Sequence, residues 1–341
     1  MRRLRVSSDE ERGAIAVIVA VLMVVMLGFA AIAIDVAKLY SERAQLQNGS
    51  DATALMVAQK CAKNEADTNC SATAPMAADL ANKNALDGLS NIKSIALDKP
   101  NRTVQVTAGA KEAGSTTNSV SLFFAAVLGI PSSEVAATSG VRWGSPVEGT
   151  TPFPLAFSVC QVSGMVDGAT QLLQIHTSNE NTDCSLGPAG KTVPGGFAWI
   201  VQSTDQCGGF VNLTVNQSGS DTGNDGPSNC GAILNKWAAE LGAGKSVTVL
   251  LPVYEDVYGT GSGASYDLVA FASFSVQGWA FSGADKLPLV YNNASSSDKN
   301  LQCKGDCRGI IGNFVSYVSL ADGYKLGPVS PYGAAVVELT S

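Results

Sequence analysis

Residues Ala14 to Ile34 form a run of 21 with no charge and no strongly polar side chain. At about 1.5 Å of helical rise per residue, that run covers a hydrocarbon core of roughly 30 Å. It follows a short basic amino terminus and precedes more than three hundred residues of soluble texture. The chain therefore reads as a single-span membrane protein carrying one large domain outside the bilayer. A cleaved signal peptide competes for the same stretch, because Ala31-Ile32-Ala33 would satisfy an A-x-A peptidase site. Secretory apolar regions run to about 7 to 15 residues, and this one is longer. Arg2-Arg3 lacks the surroundings of a twin-arginine signal, since Leu4-Arg5-Val6 follows it.

Charge sets the expected orientation. Arg2, Arg3, Arg5 and Arg12 precede the span, while only Lys38 and Arg43 lie close behind it. Lysine and arginine are retained on the cytoplasmic side, and the acidic Asp9, Glu10 and Glu11 count for little in that rule. The amino terminus is expected inside and the bulk of the chain in an oxidising compartment.

That compartment governs the eight cysteines, Cys61, Cys70, Cys160, Cys184, Cys207, Cys230, Cys303 and Cys307. An even count in an exported domain favours disulfides over free thiols. Connectivity cannot be deduced from sequence among roughly a hundred pairings. Joining successive neighbours, Cys61 to Cys70, Cys160 to Cys184, Cys207 to Cys230 and Cys303 to Cys307, is the simplest scheme. Zinc is the alternative for the C-x3-C of Cys303 and Cys307, but two more ligands would be needed and the chain has one histidine, His176.

Apolar residues make up 45% of the chain and charged residues 15%, too apolar for a disordered ectodomain. Beyond residue 13, 18 basic residues stand against 26 acidic ones, a net of −8. An acidic surface argues against nucleic acid as partner and against lying flat on anionic lipid.

Outside the span, Asp35 to Gln47 contains no proline or glycine and should continue the helix as a rod, with Val36, Leu39, Tyr40 and Leu46 as a weak apolar stripe. Asn48-Gly49 is the point where that rod is expected to kink or break, because glycine costs about 1 kcal/mol relative to alanine inside a helix. Ser50-Asp51 can cap a restart through Ala52 to Ala62.

At these residues the chain resembles a known group. Arg12-Gly13-Ala14, the span, Ile34-Asp35, and Leu46-Gln47-Asn48 with Ser50-Asp51-Ala52-Thr53-Ala54-Leu55 are similar to the amino-terminal region of TadE/TadG-like Flp pilus-assembly proteins. Gly49 and Ser50 stand where that family has small residues, and Thr53 replaces an alanine. A second patch resembles the same family: Thr103 to Thr107 as a strand, Leu122 to Gly129 as a short buried helix, and Ser133 to Val141 as a returning strand. With a helix near Pro75 to Asp87, these make a small α/β module. Phe123 and Phe124 are expected in its core, since paired aromatics in an apolar run are usually buried.

From Gly144 onward, glycine, serine, threonine and proline separate short β-rich segments: Leu155–Val162, Gln171–Thr177, Ala198–Gln202, Val247–Val253, Leu268–Val276, Phe314–Leu320 and Ala334–Leu339. One helix is expected near Ala232 to Leu241, and Pro152 and Pro154 mark a hinge. The spacing favours an antiparallel sheet or sandwich tied by disulfides. Val193-Pro194-Gly195-Gly196-Phe197-Ala198-Trp199 and Cys307-Arg308-Gly309 are similar to actinobacterial TadG-like proteins.

Little catalytic chemistry is legible. A Ser-His-Asp or Cys-His arrangement would depend on His176, which reads better as a polar strand residue. No G-x-S-x-G elbow surrounds a serine. Gly259-Thr260-Gly261-Ser262-Gly263 lacks the lysine of a phosphate loop and reads as a turn. Asp221-Thr222-Gly223-Asn224-Asp225-Gly226 fails the EF-hand pattern at its twelfth position, Ala232, leaving a polar loop as the default over a calcium turn. Some TadG relatives carry a metal-ion adhesion site, but no D-x-S-x-S signature occurs here.

The expected fold class is α+β: a cytoplasmic tail over 1–13, a transmembrane helix over 14–34, a juxtamembrane helix over 35–66, a small α/β module over 67–144 and a β-rich, disulfide-tied extracytoplasmic domain over 145–341. The resemblance implies a non-enzymatic, membrane-anchored accessory or minor pilin-like role in Tad/Flp pilus assembly, with no cofactor, no catalytic residue and no metal. Its expected partners are the lipid bilayer and other pilus-assembly proteins or pilins. A membrane-tethered surface module binding wall polymer or a partner protein is the alternative, and an anchored hydrolase the third reading. Type IV pilin precursors are cut after a glycine to leave glutamate at mature position five. If Gly13 were that glycine, Ile18 would occupy the glutamate position, so an uncleaved amino terminus is expected.

Overall fold

The computed structural model describes residues 9–114, 117–163, 168–175, 181–204, 206–215, 217–220, 228–281, 297–318 and 324–340. They divide into two compact units, Met1–Val141 with Leu339–Ser341, and Arg142–Glu338. The architecture is α+β, a long amino-terminal apolar helix followed by β-rich structure with four disulfides.

The first unit is built on α1 (Asp9–Lys63), a single helix of 55 residues about 80 Å long. It is followed by α2 (Ala77–Lys83), β1 (Ser90–Asp98), β2 (Thr103–Ala110), β3 (Ser119–Ser121), β4 (Ser132–Glu134) and β5 (Ala136–Thr151), which continues past Val141 into the second unit. Antiparallel β1 and β2 lie beside β5, and β3 pairs with β4. Leu46 of α1 is buried with Ala108, Ala110, Val120, Val135 and Ala137, a core of mostly small side chains.

The expected break at Asn48-Gly49 does not occur, and α1 passes through it. Neighbouring polar side chains turn back onto the helix: Ser50 Oγ donates to the Gln47 carbonyl at 3.0 Å, Thr53 Oγ1 to that of Gly49 at 2.8 Å, and Gln47 Nε2 to Asp51 Oδ1 at 2.8 Å. Gly49 is buried against α2; a Cβ there would lie 3.4 Å from both Cα and O of Ala81. Close helix packing thus offsets the propensity cost of glycine. The helix ends at Lys63, short of residue 66, and Cys61–Cys70 fastens its last turn to the following loop.

A second correction concerns Leu122 to Gly129. Only Leu122 is buried; residues Ala125–Leu128 form a one-turn 3-10 helix, and Phe123 is 78% exposed. The paired aromatics stack edge-on against each other, ring centroids 5.0 Å apart, rather than entering the core. The core of this unit is packed from Leu46 with small side chains, Ala108, Ala110, Val120, Val135 and Ala137.

The second unit contains β6 (Leu155–Ser158), α3 (Val159–Val162), β7 (Gln171–Gln174), β8 (Phe197–Trp199), β9 (Gly209–Asn212), β10 (Gln217–Gly219), α4 (Gly231–Gly242), β11 (Val247–Tyr258), β12 (Ser265–Ala280), β13 (Gly309–Val315), β14 (Tyr317–Val318), β15 (Lys325–Gly327) and β16 (Ala335–Leu339). One sheet runs β7-β13-β12-β11-β6-β8, with β10 also on β12. The pairing is antiparallel, as expected, except that β6 lies parallel to β11. The segment expected as strand over 155–162 turns into α3 after Ser158, whose side chain caps the turn by accepting from Cys160 N. Elsewhere β5 pairs with β9 and β15, and β14 runs parallel to β16. The core is drawn mainly from the first of these sheets, with Val211 of β9 joining it, and buries Phe153, Phe157, Phe197, Phe271, Phe274 and Trp279. Pro152 and Pro154 lie between β5 and β6 beside the buried Phe153, inside this unit. Gly196 has φ +83°, and a side chain there would collide with the Gln174 carbonyl, which accounts for the glycine pair before β8.

Candidate functional site

A polar constellation of the first unit lies one residue beyond the span. Asp35 is 4% exposed, and its carboxylate accepts three main-chain amides: Phe123 N on Oδ1 at 2.9 Å, and Phe124 N and Ala125 N on Oδ2 at 2.9 and 2.6 Å. Burial works to raise its pKa, but the three amides and the Lys38 charge outweigh that and hold it below the ordinary carboxylate value. One turn later, Lys38 Nζ donates to Glu112 Oε1 at 2.8 Å and to the Ser121 carbonyl at 3.0 Å, while Ser121 N donates to Glu112 Oε2 at 3.0 Å. Burial opposes the charge of Glu112, yet its bonds to Lys38 and Ser121 prevail and lower its pKa as well.

Asp35 and Lys38 therefore clasp the segment 121–125 to the helix where it leaves the apolar span. Helical geometry makes this possible, because residues three apart present neighbouring side chains on one face. On the helix, Val36, Leu39, Tyr40 and Arg43 also line a shallow groove of about 320 Å³ with Ser133, Glu134, Val135 and Ala136. Further along, Gln45 Oε1 accepts from Leu86 N at 2.6 Å. Glu42 has its pKa raised, first by burial and then by the like charges of Asp87 and Glu112.

The cysteines form four disulfides, Cys61–Cys70, Cys160–Cys184, Cys207–Cys230 and Cys303–Cys307, each joining successive cysteines. Cys303 and Cys307 bond to each other, so neither is a free thiolate for zinc in this state. Cys160–Cys184 holds α3 to the segment that bridges Val193, and Cys207–Cys230 holds the turn before β9 to the start of α4. His176 and the loop from Asp221 to Gly226 lie outside the described residues. Residues Gly259 to Gly263 connect β11 to β12 through a single 3-10 turn. Among the described residues, no group of three or more histidine, cysteine or acidic side chains is arranged to hold a metal. In the second unit the buried Asp256 is paired with Lys191 at 2.5 Å, and that ammonium lies 4.8 Å from the Tyr258 ring centre.

Sequence reasoning marked Asp35 as the end of the span but missed its partners. The available signal was the uncharged stretch between Glu112 and Glu134, long enough to fold back onto the helix without bringing a competing charge.

Residues 13–60 match the Tad family of Flp pilus-assembly TadE/G-like proteins. No curated protein and no solved structure matches the chain. The matched stretch lies within α1 and includes the span, Asp35, Lys38 and Gly49.

Proposed function

We propose that this chain acts in Flp pilus assembly as a single-pass, non-enzymatic accessory or minor pilin-like protein, its amino terminus cytoplasmic and both units outside the membrane. The observation that carries the reading is that the family match falls on one continuous helix with two kinds of surface. Its first part is exposed and apolar with a mean hydropathy of 3.1, as a membrane span requires, and its second part is buried in the first unit. A helix of this kind transmits the position of the bilayer directly to the folded domain. The excess of arginine before the span supports the orientation.

Co-purification from native membranes tests the role: pilins or assembly proteins should be retained by the full chain. Retention of wall glycan with no pilus protein would replace this reading by a surface-binding one. Protease added to spheroplasts should digest the chain beyond residue 35 and spare an amino-terminal tag. Intact mass should show an uncleaved amino terminus; a species beginning at Ala14 and recovered in sheared filaments would make the protein a structural pilin.

A further inference from the structure

The clasp presents an apolar surface that the first unit leaves uncovered. Phe123 is 78% exposed, Val127 85%, Leu128 71% and Ile130 54%, four large apolar side chains within eight residues. No charged residue occurs between Glu112 and Glu134. In water such a patch is unfavourable, and soluble surfaces rarely gather one without a partner.

The position of the patch identifies the partner. Asp35 is the first residue after the span, and its carboxylate is bonded to Phe123, Phe124 and Ala125 at 2.6 to 2.9 Å. The backbone of the 3-10 turn is thus fixed at the depth where the helix leaves the hydrocarbon. Ala31, one turn before Asp35 and on the same face, is the only described residue from Ile15 to Ile34 that is not exposed. The Phe123, Phe124 and Ala125 amides at the start of the turn are occupied by the carboxylate, which lowers the penalty for bringing irregular backbone to a bilayer surface.

We propose that residues 122–130 form a second membrane contact, a short apolar dip whose Phe123, Val127, Leu128 and Ile130 enter the outer interfacial layer of the same bilayer the helix spans. Asp35 acts as its positioning residue, and together the helix and the dip fix the rotation of the first unit about the span as well as its height. A single helix alone leaves that rotation free. The inference rests on the membrane anchor and is independent of the pilus role.

The test uses full-length protein in single-copy nanodiscs of phosphatidylethanolamine and phosphatidylglycerol. Cysteine replaces Leu128, Val24 within the span, or Asn101 at the exposed β1–β2 turn, each labelled with an environment-sensitive dye while the native disulfides stay closed. The Leu128→Cys label should emit at shorter wavelength than the Asn101→Cys label and lose most of its signal to headgroup-depth nitroxide lipids. The Val24→Cys label should respond to deep nitroxides, which verifies the anchor. A Val24→Cys response with Leu128→Cys as water-exposed as Asn101→Cys overturns the dip alone. Failure at Val24→Cys overturns anchor and dip together. Shielding of Leu128→Cys that appears only in discs holding two copies also overturns it, making the patch a contact between proteins.

Discussion

The first unit and the second differ in what holds them together. The first relies on a helix laid against alanine and valine, and on carboxylates and amides that bond to main chain: Asp35, Glu112, Gln45 and Gln47. The second relies on an aromatic cluster, in which Phe157 lies 4.9 Å from Phe274 and 5.0 Å from Phe314, and on three of the four disulfides. Small side chains let elements approach closely but bury little apolar area, so polar clasps have to specify the arrangement. Large aromatic side chains bury enough area to dominate by themselves.

Substitutions separate the two regimes, and the largest effect is expected in the aromatic core. Phe157→Ala should destabilise the second unit by about 3 to 5 kcal/mol, as a buried aromatic truncated to alanine does. All four tryptophans, Trp143, Trp199, Trp237 and Trp279, lie in that unit, so their fluorescence during denaturation of the full chain reads it selectively. An unchanged midpoint would show that the aromatic cluster is not its mainstay.

Opening the disulfides should come next, ranked by the loops they close. Replacing Cys160 and Cys184 by serine, with a separation of 24, should cost about 3.5 kcal/mol on loop-closure entropy. For Cys61–Cys70, separation 9, the figure is about 2.7, and for Cys303–Cys307, separation 4, about 2 kcal/mol. A reversed order by thermal melting would mean that strain or residual structure outweighs chain entropy.

In the first unit, Gly49→Leu should destabilise by about 1 to 3 kcal/mol by pushing α2 off α1. Gly49→Ala should stabilise by up to about 1 kcal/mol, since helix propensity gains that much while the new methyl makes only van der Waals contacts with Ala81 and Asn84. Hydrogen exchange of the Ala77–Lys83 amides checks both; equal effects would remove close packing as the reason for the glycine.

The smallest effect should belong to pH. The folded pKa of Asp35 lies below its ordinary value, so its stabilisation is complete above about pH 4 and lost as pH falls through the folded value. Glu112 follows the same sign. Protection factors of the Phe123, Phe124 and Ala125 amides, taken relative to the slower intrinsic exchange in acid, should fall on acidification, and in Asp35→Asn at neutral pH, while tryptophan fluorescence of the second unit stays constant. Unaltered protection of those amides in Asp35→Asn would break the clasp.

Much of the architecture was legible in residue order because it depends on local patterns. An uninterrupted apolar run specifies a span, the β-rich runs Val247–Val253 and Leu268–Val276 mark β11 and β12, which extend beyond them, and the Ala232 to Leu241 pattern specifies α4 to within a residue at each end. Strand β1 was missed because its apolar residues, Ile92, Ile95 and Leu97, break the two-residue period. The register with β2 shifts between Ile92 and Ser94, where a bulge absorbs the extra residue.

What only the tertiary structure decided concerns which apolar residues find a partner inside the protein. Phe123 and Phe124 have the composition of a core, but the core of the first unit is packed from Leu46 with alanine and valine, and Phe123 faces outward. Asn48-Gly49 has the composition of a break, but α2 packs against it and Ser50 and Thr53 bind its neighbouring carbonyls, so the helix continues. Asp35 marks a membrane boundary in the sequence, and only folding brings Phe123, ninety residues or so away, to its carboxylate. Hydrophobicity and propensity are properties of a residue, whereas burial and hydrogen bonding belong to pairs of residues, and distant pairs are set by the fold.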